Sequence, residues 1–223
     1  MAKADHSIDT RILESARAEF MNFGFEKASL KSICEQAGIT TGALYKRYAG
    51  KEDLFCAVVE PTRRDLEQVY QERAMTDLLP AQSDDDLVRS WDMAPETMMW
   101  WFRFLQDRRD GFLLLISRAA GTRYENFQHD WVEKMTEATY LWWKEAFDRG
   151  LCTVEVTKQE MHCLLTSFWS SVYEPFIHGF TYEEIKVHSE LCCRLFSWYK
   201  AFGFREEAIE HARAQRKLPQ QKA

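Results

Sequence analysis

At 223 residues, 46% of them hydrophobic and 29% charged, the chain has room for one large domain or for a small domain beside a larger one. No apolar run approaches the ~20 residues that span a bilayer. The opening MAKADHSIDTR lacks the apolar core of a secretory signal, so a cytoplasmic protein is expected. The net charge of −6 gives no general attraction to nucleic acid, and any such role has to rest on a local patch. Cys34, Cys56, Cys152, Cys163, Cys192 and Cys193 contain no Cys-x-x-Cys pair and lack structural zinc spacing, so no metal is expected. Reduced, buried thiols are the expected state. The adjacent Cys192 and Cys193 leave redox sensing as a minor alternative.

Helix follows helix along the chain, and no alternating strand segment stands out. Ile12, Ala16, Phe20 and Phe23 recur at three- and four-residue spacing, which predicts a helix from about Asp9 to Phe23. Gly24 ends it, and Phe25 is placed to fold back on its last turn. The next helix runs from Leu30 to Ala37, with Ser29 as its N-cap and Gly38 in the left-handed conformation at its end. Thr40 or Thr41 caps a following polar, basic helix. Two helices joined this tightly describe a helix-turn-helix, whose second member reads the DNA major groove. Residues 27 to 51 hold Lys27, Lys31, Lys46, Arg47 and Lys51 against Glu35 alone, a local net charge of +4 in an acidic chain. Coinciding with this motif, the patch fits phosphate contact better than a merely solvated face.

A fourth helix is expected from Lys51 toward Ala74, carrying Leu54, Val58, Leu66, Val69 and Tyr70. Pro61 predicts a kink or break near Val58 to Glu60, either a harmless bend or a hinge that passes motion to the DNA-binding helices. Residues 75–86 read as a loop with an acidic helix start. Helices are predicted over 84–107, 110–120, 123–149, 157–179, 182–202 and 204–217, with Pro95 interrupting the first and LPQQKA frayed. Gly111, Gly121, Gly150, Gly179 and Gly203 mark the breaks.

The stretch from Ile12 to Phe55 resembles the N-terminal domain of the TetR family of transcriptional regulators. ILESARAEFMNFGFEKAS and ICEQAGITTGALYKRYAGKEDLF carry the likeness, with Gly42, Leu44 and Tyr45 at its centre and Lys51-Glu52-Asp53-Leu54 behind. The family usually has Phe where this chain has Tyr48, which keeps the ring and adds a hydroxyl. The resemblance implies an all-α chain: a three-helix helix-turn-helix domain over residues 1–50, then a larger helical ligand-binding and dimerisation domain over 51–223. It also implies that Thr40, Thr41, Gly42, Ala43, Tyr45 and Lys46 face the groove or its walls, while Ile33, Ala37 and Leu44 are core. Thr41 and Lys46 are the candidates for base edges, since Lys donates to guanine acceptors. Ser29, Tyr45, Tyr48 and Lys51 are the candidates for phosphate contacts. A homodimer on a palindromic double-stranded operator, released by a small-molecule effector, completes the implied function.

Residues 91 to 143 hold six of the eight tryptophans, which suits either a helical core or a cavity for a flat, apolar molecule. Trp100, Trp101, Phe104, Trp131, Trp142, Phe168 and Tyr173 are the candidate lining, with Arg103 and Arg118 for a polar end of the ligand. Glu174 is a further polar candidate. Met161, Leu164, Leu165, Phe168, Val172 and Phe176 form one late apolar stripe, and Ile185, Leu191, Leu195, Phe196 and Tyr199 form another. The resemblance turns these two helices, near 157–179 and 182–202, into the expected dimer contact.

An enzyme is not expected, and no cofactor is implied. No Gly-x-Ser-x-Gly elbow, phosphate loop or His-Glu-x-x-His motif occurs, and the six histidines are scattered. The remaining alternative is a helical protein-interaction module with no effector, which exposed Trp and Met would favour.

Overall fold

A computed structural model describes residues 6–74 and 82–215. The described chain is a succession of helices: α1 His6–Lys27, α2 Leu30–Ala37, α3 Thr41–Tyr45, α4 Lys51–Ala74, α5 Asp84–Arg89 and α6 Pro95–Gln106. Then come α7 Arg109–Ser117, α8 Phe127–Asp148, α9 Lys158–Ile177, α10 Tyr182–Leu195, α11 Trp198–Phe202 and α12 Glu206–Gln215. Extended pairing among the described residues is limited to one bridge, Cys152 with Phe204. Residues 75–81 of the expected loop and the terminal LPQQKA lie outside the described residues.

The helices gather into two compact units. One comprises the chain up to Val69 together with Phe104–Asp130; the other comprises Tyr70–Arg103 and the chain from Trp131 onward. The first unit therefore extends beyond residue 50 and recruits α7. Its core is built on one face of α1, where Ile12, Ala16 and Phe20 are fully buried. Phe20 meets Phe55 edge-on at 5.1 Å, and Phe25 meets Phe55 at 5.6 Å. Burying rings of this size stabilises by roughly 2–3 kcal/mol each. Gly24, at φ 72°, breaks α1 and lets Phe25 turn inward, and the Phe25 N–H donates to the Arg118 carbonyl (3.0 Å). Phe23, expected on the buried face, is instead 55% exposed at the end of the straight part of α1, next to Gly24.

The second unit is held by end signals and aromatic packing. Thr157 with Glu160 and Thr181 with Glu184 form reciprocal capping boxes that start α9 and α10. The α5 and α12 helices are tied by Arg89 donating to the Ala212 carbonyl (3.2 Å) and by His211 against Asp85 (2.7 Å).

Several predicted boundaries are corrected. The span 84–107 is two helices, and Pro95 opens the second of them, at the first-turn position where its missing N–H costs nothing. The span 182–202 is also two, parted at Phe196 and Ser197, where ψ rises to 60° and 89°. Gly111 does not break a helix but lies inside α7. The break at Pro61 does not occur either: α4 runs through it as one helix. Buried Val58 and Val59 anchor the turn before the proline, and Glu60 binds both Arg63 and Arg64 across it.

Candidate nucleic-acid interface

The Ser29 hydroxyl accepts the Ser32 N–H (3.3 Å) and starts α2, while Gly38 closes it at φ 66°, ψ 40°. Of the two candidate caps for α3, Thr40 takes the role, accepting the Ala43 N–H at 3.2 Å. Thr41 is thereby left as the first helical residue with its side chain exposed. Leu44 is 1% exposed and pins α3 to the core, and Ile33 and Ala37 are likewise buried. The opposite face carries Gly42, Tyr45 and Lys46, all exposed, with Tyr45 at 57% and Ala43 half-buried beside them. A short helix thus presents a polar surface with one aromatic ring and one cation.

Three supports behind this face were not anticipated. Glu19, 4% exposed on α1, accepts the Ser29 N–H (3.0 Å) and the Ser32 hydroxyl (2.8 Å), with the Gln36 amide at 3.4 Å. A buried carboxylate with this many donors fixes α2 against α1, whereas an unpaired one would be costly. Arg47 donates to Asp9 at 2.6 Å and to the Ala43 carbonyl at 3.2 Å, bracing α3 against α1. Lys51 donates to the carbonyls of Glu26 (2.9 Å) and Ala28 (3.2 Å), and its ammonium lies 4.7 Å from the centre of the Phe25 ring. Its charge serves first to satisfy the chain end of α1.

These contacts reduce the patch read from sequence. Arg47 is matched by Asp9, a partner outside residues 27 to 51, and Lys31 lies 3.8 Å from Glu35 with both side chains largely in solvent. Lys27, Lys46 and Lys51 are the cations of that stretch that make no ion pair among the described residues, and Lys51 is held by two backbone carbonyls instead. Tyr48 is half-buried, and burial, then Asp9, pushes its phenol above the usual tyrosine range, so it faces any partner as a neutral donor.

The aromatic candidates do not form one group. Trp101, Trp131 and Tyr173 surround Trp169, a residue missed from sequence, with ring centres at 5.4, 5.5 and 5.8 Å. Phe168, half-buried, meets Trp169 at 5.7 Å. The Trp169 indole N–H is buried and has no hydrogen-bond partner among the described residues. Burial pushes the Tyr173 phenol far up. Trp100 is 39% exposed, Arg103 is exposed and donates to the Tyr182 hydroxyl (3.1 Å), and Trp142 donates to the Ala74 carbonyl (2.8 Å). Glu174 is exposed beside His178 at 3.1 Å. Phe104 and Arg118 belong to the first unit, where Phe104 lies beneath Arg108 and the Arg118 carbonyl holds Phe25.

The late apolar stripes divide between core and surface. Met161, Leu165, Val172, Phe176 and Ile185 are buried within the chain. Exposed instead are Leu164, Leu191 and Leu195 of the stripes, the last at 76%, together with Ile177 and Val187 outside them. Burial raises Cys152 and Cys193 to about 11, so both are thiols at neutral pH. Among the described residues no helix is long and apolar enough to cross a membrane, and no group of three His, Cys, Asp or Glu side chains is placed to hold a metal.

The profile for "Bacterial regulatory proteins, tetR family" matches residues 12–58. The HTH-type transcriptional regulator UidR of Escherichia coli (strain K12) is 44% identical over 50 residues, 22% of this chain and 26% of UidR. The HTH-type transcriptional repressor AcnR of Corynebacterium glutamicum is 27% identical over 93 residues, 41% of this chain and 50% of AcnR. The chain thus spans between about a quarter and half the length of these curated relatives. The fold agrees over far more of the chain. The SmeT–triclosan complex has a TM-score of 0.61 at 16% identity, covering 92% of this chain and 94% of that one. SmeT is the repressor of the Stenotrophomonas maltophilia multidrug efflux pump SmeDEF. FadR of Bacillus subtilis in complex with stearoyl-CoA has a TM-score of 0.57 at 11% identity, covering 85% and 97%. Residues 12–58 are thus similar to the tetR family of bacterial regulatory proteins, and they are carried on a helical fold of the same kind as these structures.

Proposed function

We propose that the protein is a ligand-responsive repressor that binds a palindromic operator as a homodimer. The observation that carries the reading is the α3 surface, where Thr41, Gly42, Tyr45 and Lys46 stand exposed on a helix braced by Leu44, Arg47 and the Thr40 cap. Thr41 and Lys46 contact base edges, and Gly42 allows close backbone approach. Tyr45, Tyr48 and Ser29 bond phosphates, which sets register without reading sequence. Lys51, with two carbonyls already bound, contributes to phosphate through its remaining N–H and to the shape of the head through the other two.

The exposed Leu164, Ile177, Val187, Leu191 and Leu195 support pairing of α9 and α10 with a second copy, since apolar side chains of this size gain from being covered. Two heads spaced by about 34–36 Å or a multiple would then meet successive major grooves. Triclosan on SmeT and the acyl chain of stearoyl-CoA on FadR support an effector with an apolar part. The aromatic cluster around Trp169, whose buried N–H has no acceptor among the described residues, supports an apolar molecule that carries an acceptor.

Salt titration of DNA binding by the purified protein tests this function. Lys46→Ala should change the order of preference among DNA sequences. Lys51→Ala should weaken all of them alike and lower the logarithmic salt slope by about one or less. Binding that ignores salt and both substitutions would refute the assignment of this face. A panel of hydrophobic compounds that never lowers operator affinity would refute the effector role alone.

A further inference from the structure

We propose that the first unit carries a binding site for a small carboxylate, separate from the α3 face and from the aromatic cluster. The site is a cleft of about 340 Å³ between α1, the middle of α4 and the turn from α6 into α7. Its floor is Thr62, 7% exposed, whose hydroxyl makes no hydrogen bond among the described residues. A hydroxyl that opens onto a cleft and has no partner among the described residues is free to donate to or accept from a ligand there.

The other groups converge on the same space. Here α7 begins without a side-chain cap, since the residue before it, Arg108, makes no capping bond. Its first backbone bond is Phe112 N–H to the Arg108 carbonyl, so the N–H groups of Arg109, Asp110 and Gly111 precede the helical ladder. An uncapped helix start favours an anion. Gly111 belongs here for a steric reason: a Cβ would lie 2.0 Å from the Thr62 hydroxyl oxygen, so only glycine lets the two approach. Arg17 and Arg109 also line the cleft and make no ion pair among the described residues. Arg108 is not available in the same way, because Asp65 (2.6 Å) and the Phe104 carbonyl (3.0 Å) hold it.

Charge selects the ligand class. Asp107 and Asp110 line the cleft beside the three arginines and Asp65, so the fixed charges of its wall cancel. A polyanion such as phosphate gains no net field there and meets two carboxylates, whereas a singly charged carboxylate can take one guanidinium fork, the helix start and the hydroxyl. Because Arg17 sits on the helix whose Glu19 positions α2, such a ligand would bear on the DNA-reading head.

The test is titration of the full-length protein with sodium benzoate and sodium acetate at fixed ionic strength, read by thermal unfolding and calorimetry. Sodium phosphate and sodium chloride serve as comparisons. A saturable rise in Tm is expected with at least one carboxylate and not with phosphate or chloride. Arg17→Gln with Arg109→Gln should weaken it by about tenfold or more, as loss of charge-assisted bonds does, and Thr62→Val by a smaller factor. Arg194→Gln, on α10, should leave it unchanged. The proposal is overturned if neither carboxylate saturates, if chloride or phosphate gives an equal rise, or if the double variant responds like the parent protein. None of these readouts depends on DNA, so the site can fail while the regulator reading stands.

Discussion

The head formed by α1 to α3 and the aromatic cluster around Trp169 are both tightly buried, but they treat polar groups in opposite ways. In the head, Glu19 satisfies donors from α2, Lys51 satisfies carbonyls at the end of α1, and Ser29 and Thr40 cap the helices that follow. In the cluster, the indole N–H of Trp169 lies buried with no acceptor among the described residues, and that of Trp143 on α8 does the same. A saturated network holds one geometry, as a surface that must match DNA requires. An unsatisfied donor among rings leaves binding energy for an acceptor from outside.

The sharpest way to break this comparison is Glu19→Ala. It removes the acceptor of two short hydrogen bonds at a buried site and should cost about 2–4 kcal/mol in urea unfolding, with DNA affinity falling alongside. A loss below roughly 0.5 kcal/mol, the size of an ordinary surface substitution, would mean the network does not hold the head together. Trp169→Phe should cost less, about 1–2 kcal/mol, since the ring loss leaves a cavity while removal of the orphan donor offsets part of it. A cost as large as that of Glu19→Ala would show that the indole N–H is satisfied after all. Ser29→Ala, which deletes one exposed cap, should cost about 1 kcal/mol.

The smallest effect expected is one of pH. Glu60 is held at about 2, below its ordinary 4.5, chiefly by its hydrogen bond to Arg63 and then by Arg64. Folding lowers this carboxyl, so its stabilisation is complete above about 4.5 and is lost as pH falls toward 2. Glu60→Gln should flatten that part of the acid limb in a urea-denaturation series. An unchanged limb would remove the clamp that carries α4 through Pro61.

Sequence spacing was enough for features whose cause is local. Ser29 and Gly38 cap α2 because a hydroxyl and a left-handed glycine act on groups within four residues, and Gly24 ends the straight part of α1 for the same reason. Glu19 was silent because its partners lie 10 to 17 residues away and nothing about a lone glutamate marks it as buried. The charge patch was overcounted because Asp9 sits 38 residues from Arg47 in the chain. The break allowed at Pro61 does not occur because packing and the ion pairs across the proline offset its local penalty. Trp169 escaped because the tryptophans cluster in sequence before residue 143, while the rings meet across α6, α8 and α9.

The central claim is that the α3 face reads a DNA sequence. Selection of bound fragments from a random double-stranded pool by the purified protein tests it most directly, with a Thr41→Val, Lys46→Ala variant run in parallel. The account predicts a two-fold symmetric motif for the parent protein and a weakened or altered motif for the variant. No enriched motif, or the same motif at the same strength from both proteins, would contradict it.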